Sequence, residues 1–451
     1  MANPPQRAWI ESASLGLAIL SFINLFNYLD RYVVSALVES LKHSELALSD
    51  ANLGSLMSGF LIVFTLAAPI FGSLGDRRSR TRLIAFAVAC WSVATVLSGF
   101  AGSFAALFVA RASVGVGEAA YVTIVPSLLA DYFPRAQRGR VMALFFCAIP
   151  VGSALGYVIG GLIDVHFGWR MAFFVAGGPG LILAALCLGL RDPPRGSQDV
   201  PSAPADPRTA SIQAAFAPVA AAPAASVQSP SATSATYLKL LHNRPYVFTI
   251  MGYAAYTFAL GGLAFWMPAF LERVRGVPRS QATVSFGAIV VITGFIGTFI
   301  GGWLGDYWAR RSKQAHLWIS AIATLIAAPF AWLALTTASS SLYLVCMVLA
   351  QLCMFMSTGP INASIVNLVR PAQRASANAL GVFAIHCFGD VPSPWLIGKI
   401  SDVYSLAQAV KIVPVAILVS AAIWAWAARA QRLSGDDAGP EVSVPTSPGP
   451  G

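Results

Sequence analysis

The chain has 451 residues, of which 57% are hydrophobic and only 11% charged, with a mean hydropathy of +0.68. Soluble domains carry roughly 25% charged residues, so the composition excludes a soluble globular enzyme and points to an integral membrane protein. The net charge is +10, but the bases are spread by topology and form no patch interleaved with stacking aromatics, which argues against nucleic-acid binding.

Apolar stretches near 20 residues fall at roughly 12–40, 50–74, 81–101, 103–131, 137–164 and 170–190, and again at 243–271, 280–305, 315–336, 341–369, 373–401 and 406–430. The first continues into NYLDRY without a small-residue cleavage site, which fits a membrane helix and not a removed signal peptide. It carries Asn24, Asn27, Asp30 and Arg31 in an arc of about 120° on an otherwise apolar helix.

The second span ends in Gly72-x-Leu74-x-Asp76-Arg77-x-x-Arg80-x-Arg82. The glycine permits close approach of two helix ends, and the aspartate can pair with arginines and neighbouring helix ends. Such a cluster, with Arg138 from the connection after the fourth span, reads as a gate at the cytoplasmic mouth. A topology signal alone accounts for the arginines but leaves Gly72 and Asp76 unexplained.

The fourth span holds RASVGVGEAAY at 111–121. At 100° per residue, Arg111, Gly115 and Glu118 share a face about 60° wide. A charge at bilayer depth costs at least ~2.5–3.5 kcal/mol and is normally found facing a partner or a watery cavity. Counted from the span ends, Asp30 matches Arg111 in depth to about one turn, so the expected pairs are Asp30–Arg111 and Arg31–Glu118. Gly115 and Gly117 leave room for another helix or a ligand beside them. A static salt-bridge network is the plainer alternative. Arg31, Arg111, Asn27 and Tyr121 are the candidate ligand-facing groups of this half. The fifth span follows with Pro150, Gly152, Gly156, Gly160 and Gly161, a small-residue face for close helix contact.

Residues 191–236 are rich in Ala, Pro and Ser, with eight prolines, and read as a disordered cytoplasmic linker between a 1–190 bundle and a 237–432 bundle. Tyr237 to Leu241 suggests a short surface helix, and 433–451 a disordered cytoplasmic tail. In the second half Tyr253 and Tyr256 share a face of the seventh span, and Thr358 and Asn362 share one of the tenth. His386 and Asp390 stand at i,i+4 in the eleventh, just before the helix-breaking Val391-Pro392-Ser393-Pro394. All these are candidate substrate-binding groups.

The halves echo each other. GSLGDRRSR at 72–80 recurs as GWLGDYWARR at 302–311, PRAQRGRVMALF at 134–145 as RPAQRASANALGVF at 370–383, and Gly160/Asp164 as Gly398/Asp402. Asp306, Arg310 and Arg374 are thus the second-half gate candidates, while Tyr307 in place of Arg77 makes the gate asymmetric. With both termini inside, twenty of the 29 Lys and Arg fall on cytoplasmic connections and seven outside. The six cysteines lie inside spans without CxxC spacing and read as packing residues, so no metal or cofactor is expected. No GxSxG, HExxH or Walker loop suggests an enzyme.

This 6+6 parallel repeat has the architecture of the major facilitator superfamily. NYLDRY at 27–32, RASVGVGEAAYVTIVPSLLADYFPRAQRGR at 111–140 and IPVGSALGYVIGG at 149–161 resemble the Spinster family within it. That resemblance implies an all-α fold of twelve transmembrane helices in two pseudo-symmetric bundles. It implies export of amphiphilic lipids such as lysolipids or sphingoid phosphates, with Asp30 and Glu118 as the protonatable pair and Arg31 and Arg111 responding to it. The expected partners are a lipid-like substrate, protons and the bilayer, in a monomer at the inner membrane of a bacterial cell. A small-organic-anion carrier of the same fold and a non-transporting sensor remain as alternatives.

Overall fold

A computed structural model describes residues 12–198, 234–370 and 373–436. Among these residues, twelve helices are long and apolar enough to cross a membrane: α1 (Ala13–Ala36), α2 (Asp50–Arg77), α3 (Arg80–Gly99), α4 (Phe104–Tyr132), α5 (Gln137–Phe167), α6 (Trp169–Leu188), α7 (Arg244–Arg273), α8 (Arg279–Ala309), α9 (Ala315–Thr336), α10 (Ser340–Asn367), α11 (Ser376–Val403) and α12 (Leu406–Arg432). Their starts follow ordinary capping: the hydroxyls of Ser49, Ser103 and Ser339 and the amide oxygen of Asn243 each accept an N–H of the first turn. No strand occurs among the described residues, as expected where every backbone polar group must be satisfied without water.

α1 packs on α5, α2 on α4 and α3 on α4 and α6, which makes one bundle; α7 packs on α12, α9 on α10 and α12, and α8 on α10, which makes the other. The bundles meet chiefly where α2 crosses α11 and α5 crosses α8. The first crossing is nearly backbone to backbone. A Cβ on Gly54 would lie 2.2 Å from the Pro394 carbonyl oxygen, and one on Gly398 would lie 2.2 Å from that of Asp50.

Two helices depart from the regular pattern for reasons written in their prolines. In α11, Pro392 and Pro394 have no N–H to offer the preceding turn. His386–Asp390 accordingly forms a π-turn, closed by the Val391 N–H on the His386 carbonyl at 3.1 Å. In α10, Pro360 leaves the Met356 carbonyl unbonded within the helix, and the helix resets at Ser357.

The connection between the bundles differs from the expected disordered linker over the part that is described. Residues 191–198 are strapped onto the first bundle: Arg80 donates to Asp192 Oδ1 at 3.0 Å and to the Pro193 carbonyl at 2.7 Å, and the Gly196 N–H reaches Asp131 at 2.8 Å. Buried Arg80 requires acceptors, and the strap supplies them. Helix Ser234–His242 precedes α7. The remainder of the expected linker, 199–233, and the tail beyond 436 lie outside the described residues.

Candidate functional site

The charges inside the first bundle form two pairs, in the pattern the helical register demands. Arg111 Nη1 donates to Asp30 Oδ1 at 2.9 Å and its Nη2 to the Asp30 carbonyl at 3.2 Å, while Thr95 of α3 donates to Asp30 Oδ2 at 2.6 Å. One layer away, Arg31 donates through Nε (3.1 Å) and Nη2 (2.7 Å) to a single oxygen, Oε2 of Glu118. All four residues are buried. Gly115 and Gly117 let α4 come this close: a Cβ on either would strike the carbonyl oxygen of Phe60 (2.6 Å) or of Ala87 (2.4 Å).

The two pairs are not equivalent. Asp30 has both carboxylate oxygens occupied, whereas Oε1 of Glu118 is buried with no hydrogen-bond partner. Arg31 sits over the rings of Tyr28, Phe60 and Phe64 at 4.8, 5.1 and 5.1 Å, contacts that hold a cation without neutralising it.

A cavity between the bundles encloses about 1540 Å³ of empty space, open solvent included. Arg31 is the one Lys or Arg on its described wall; most of the rest is apolar, with Met57, Leu61, Phe286 and Phe355 among the lining. The facing bundle contributes His386 and Asp390 from the π-turn. His386 Nδ1 lies 2.9 Å from both oxygens of Asp390, and its Nε2 is buried without a partner. Phe64 separates the two sides, 5.1 Å from the Arg31 guanidinium carbon and 6.1 Å from the His386 ring centre.

Among the sequence candidates, Arg31, Thr358, His386 and Asp390 line this cavity. Arg111, Asn27, Tyr121, Tyr253, Tyr256 and Asn362 do not, which corrects their expected place on the ligand-facing wall. Apart from Asn27, each turns toward a sister helix of its own bundle. Tyr121 donates to the Leu20 carbonyl, Tyr256 to that of Met354 at 2.9 Å, and Asn362 to the Tyr253 hydroxyl at 3.4 Å. Tyr253 packs on Tyr256 and Trp424, and the Asn27 amide is buried with no hydrogen-bond partner.

The two ends of the cavity differ sharply. At the end carrying Asp50, charged groups join the bundles. Arg273 at the end of α7 donates to Glu39 (2.6 and 2.9 Å) and to Asp50 (2.6 and 3.0 Å). Arg279 at the start of α8 reaches Asp164 at 2.8 Å. Asp402, the repeat counterpart of Asp164, accepts the N–H groups of Asp50 and Ala51 at 2.8 and 2.9 Å, and so caps α2 from the other bundle. Deeper in, Ser58 donates to the Val391 carbonyl at 2.5 Å and Tyr157 to that of Ala264 at 2.6 Å.

At the end carrying Asp76, no hydrogen bond or ion pair joins the two bundles among the described residues. Asp76, Arg77, Arg310 and Arg374 are exposed, and Gly72 packs near Thr123. Arg138 donates to the Phe133 carbonyl at 3.3 Å, and Asp306 lies 3.7 Å from His316. Arg80 binds Asp131 at 2.5 Å and Asp192 at 3.0 Å, all within the first bundle.

Sequence reasoning missed Glu39, Asp50, Arg273 and Arg279. A signal existed: two acids flank the first connection, and two bases flank the corresponding one of the second half.

The model of the Major Facilitator Superfamily matches residues 20–394. The chain is 33% identical over 407 residues to Protein spinster homolog 3 of Danio rerio, covering 86% of this chain and 76% of that one. It is 32% identical over 420 residues to a sphingosine-1-phosphate transporter of Xenopus tropicalis, covering 89% and 76%. A crystal structure of a bacterial homolog to the human lysosomal transporter Spinster, inward-facing and unoccupied, matches with a TM-score of 0.80 at 22% identity, over 93% of this chain and 97% of that one. The occupied inward-facing form of a bacterial homolog gives 0.74 at 21% identity, over 96% and 98%.

Proposed function

The chain belongs to the Spinster family of the Major Facilitator Superfamily, and on that premise we propose that it carries an amphiphilic anion of the lysolipid or sphingoid phosphate class by proton-coupled alternating access. The observation that supports this most directly is Arg31: one buried cation on the wall of a mostly apolar cavity. A phosphate or carboxylate head meets the guanidinium through charge-assisted hydrogen bonds, and an acyl or sphingoid tail lies along the apolar lining.

Glu118 provides the coupling. Its free Oε1 accepts a proton, the Arg31–Glu118 attraction weakens, and Arg31 turns to the head group. Proton and substrate thereby act on the same arginine. Asp30 and Arg111 form the second, deeper pair, and Asp30 is the other carboxylate in the relay. The rocking units are the bundles 1–190 and 237–432. The basic-loop asymmetry supports a cytoplasmic place for both termini and the Asp76 rim, in a monomer at the inner membrane; with the Asp50 rim joined by ion pairs, the structure then corresponds to an inward-open state. Labelling a cysteine placed at Ser197 from the cytoplasmic side only is the expected result; labelling from outside in sealed cells reverses the topology.

Liposomes carrying the purified protein test the substrate and the coupling together. Uptake of lysolipid or sphingoid phosphate that rises with an imposed pH gradient is the expected result. Uptake of small organic acids alone makes the protein an anion carrier, and binding without movement makes it a sensor. A double Asp30→Asn/Glu118→Gln variant with an undiminished response to the gradient removes the proton step.

A further inference from the structure

We propose that a groove on the outer perimeter of the second bundle, between α7 and α12 at the Asp76 end, binds the phosphate head of an anionic phospholipid of the surrounding leaflet. The site lies apart from the transport cavity, shares none of its lining, and does not depend on the substrate reading.

Its walls come from two helix faces. Arg244 and Phe248 stand at i,i+4 on α7, and Ala422, Trp426, Arg429 and Ala430 stand at i, i+4, i+7 and i+8 on α12. The two alanines remove bulk and leave about 1060 Å³ of empty space, open solvent included. Phe248 and Trp426 stack across it, ring centres 4.8 Å apart and planes 15° from parallel, although Trp426 is 61% exposed. Both arginines are exposed, neither has an ion pair among the described residues, and no acidic residue lines the groove. Two cations without a counter-charge over an aromatic floor complement a phosphodiester head and the first carbons of its chains.

The helix before α7 fixes the depth of this groove independently. Ser234–His242 exposes Leu238 and Leu241 at 56% each while Leu240 is buried at 1%, and Lys239 is exposed. Exposed leucines beside a lysine at the end of a membrane helix mark a segment lying in the interface plane with its apolar side in the acyl boundary. It ends two residues before Arg244, which places the groove at head-group level. Basic pockets between transmembrane helices at that level are suited to anionic lipid heads.

Native mass spectrometry of the purified full-length chain, titrated with phosphatidylglycerol or with phosphatidylcholine of the same acyl chains, tests the site. Phosphatidylglycerol is expected to bind more tightly. That preference should fall about fivefold in R244Q or R429Q and about thirtyfold in R244Q/R429Q, near the surface contribution of each basic residue. R244K/R429K should retain most of it, since the charge is kept. Equal binding of the two lipids, or an unaltered preference in R244Q/R429Q, overturns the proposal. Displacement of bound lipid by millimolar inorganic phosphate also overturns it, because the groove would then take free phosphate and not a lipid head.

Discussion

Arg273 and Arg80 both stand at a helix end and each binds two carboxylates, yet their partners sit on different bodies. Arg273 reaches across the bundle interface to Glu39 and Asp50 on the opposite bundle. Arg80 binds Asp131 and Asp192 on its own. On the proposed rocking of the bundles, a contact within one body is kept and so contributes to the stability of every state. A contact between bodies must break when that rim opens, so it sets the balance between states. The partner's location, more than the type of interaction, decides whether an ion pair is a strut or a latch.

The largest test of that distinction is Arg273→Ala. It leaves Glu39 and Asp50 buried with Lys42 as the nearest remaining cation for Asp50, and loss of one partner of a buried pair costs about 3–5 kcal/mol. The closed Asp50 rim should lose more than about a hundredfold in population relative to the open one. Spin labels flanking the rim report it as longer distances; unaltered distances mean that the α2–α11 and α5–α8 crossings hold the rim without charge. Asp131→Asn provides the contrast. It weakens the Arg80 cluster by about 1.5–3 kcal/mol, a hydrogen-bonded charge, and should lower the unfolding temperature while both rims keep their distance distributions. A change in either distribution would make Arg80 part of a latch after all.

Between the rims, Glu118→Gln tests how they are linked. The amide takes no proton, so gradient-driven uptake should fall on the order of tenfold or more, about 1.4 kcal/mol, while substrate binding persists. Uptake that still follows the gradient assigns coupling elsewhere. The smallest effect is expected from Asp76→Asn. Asp76 is exposed here and has no ion pair among the described residues, so the substitution acts only on the state in which that rim is shut, by about 1 kcal/mol. Distances across the Asp76 rim should lengthen modestly on average; identical distances leave Gly72–Arg82 as a topology signal alone.

Sequence by itself determined the twelve spans, because apolar length is dictated by bilayer thickness and does not depend on which helix lies beside which. It also determined the Asp30–Arg111 and Arg31–Glu118 pairs. Buried charges must find counter-charges, and two helices of known register and depth leave few choices. Tertiary structure decided which polar stripe faces the cavity. Tyr253 and Tyr256 lie on the same kind of helical face as Thr358, but the packing of α7 on α12 turns them toward Trp424 and away from the opening. It also decided that 191–198 is a strap, since Asp192 and Gly196 acquire their partners only once Arg80 and Asp131 have been brought together from α3 and α4. The latch at the Asp50 rim belongs to the same class. Each of its residues sits at a span end with an ordinary charge, and the distances between Arg273, Glu39 and Asp50 exist only where the two bundles meet.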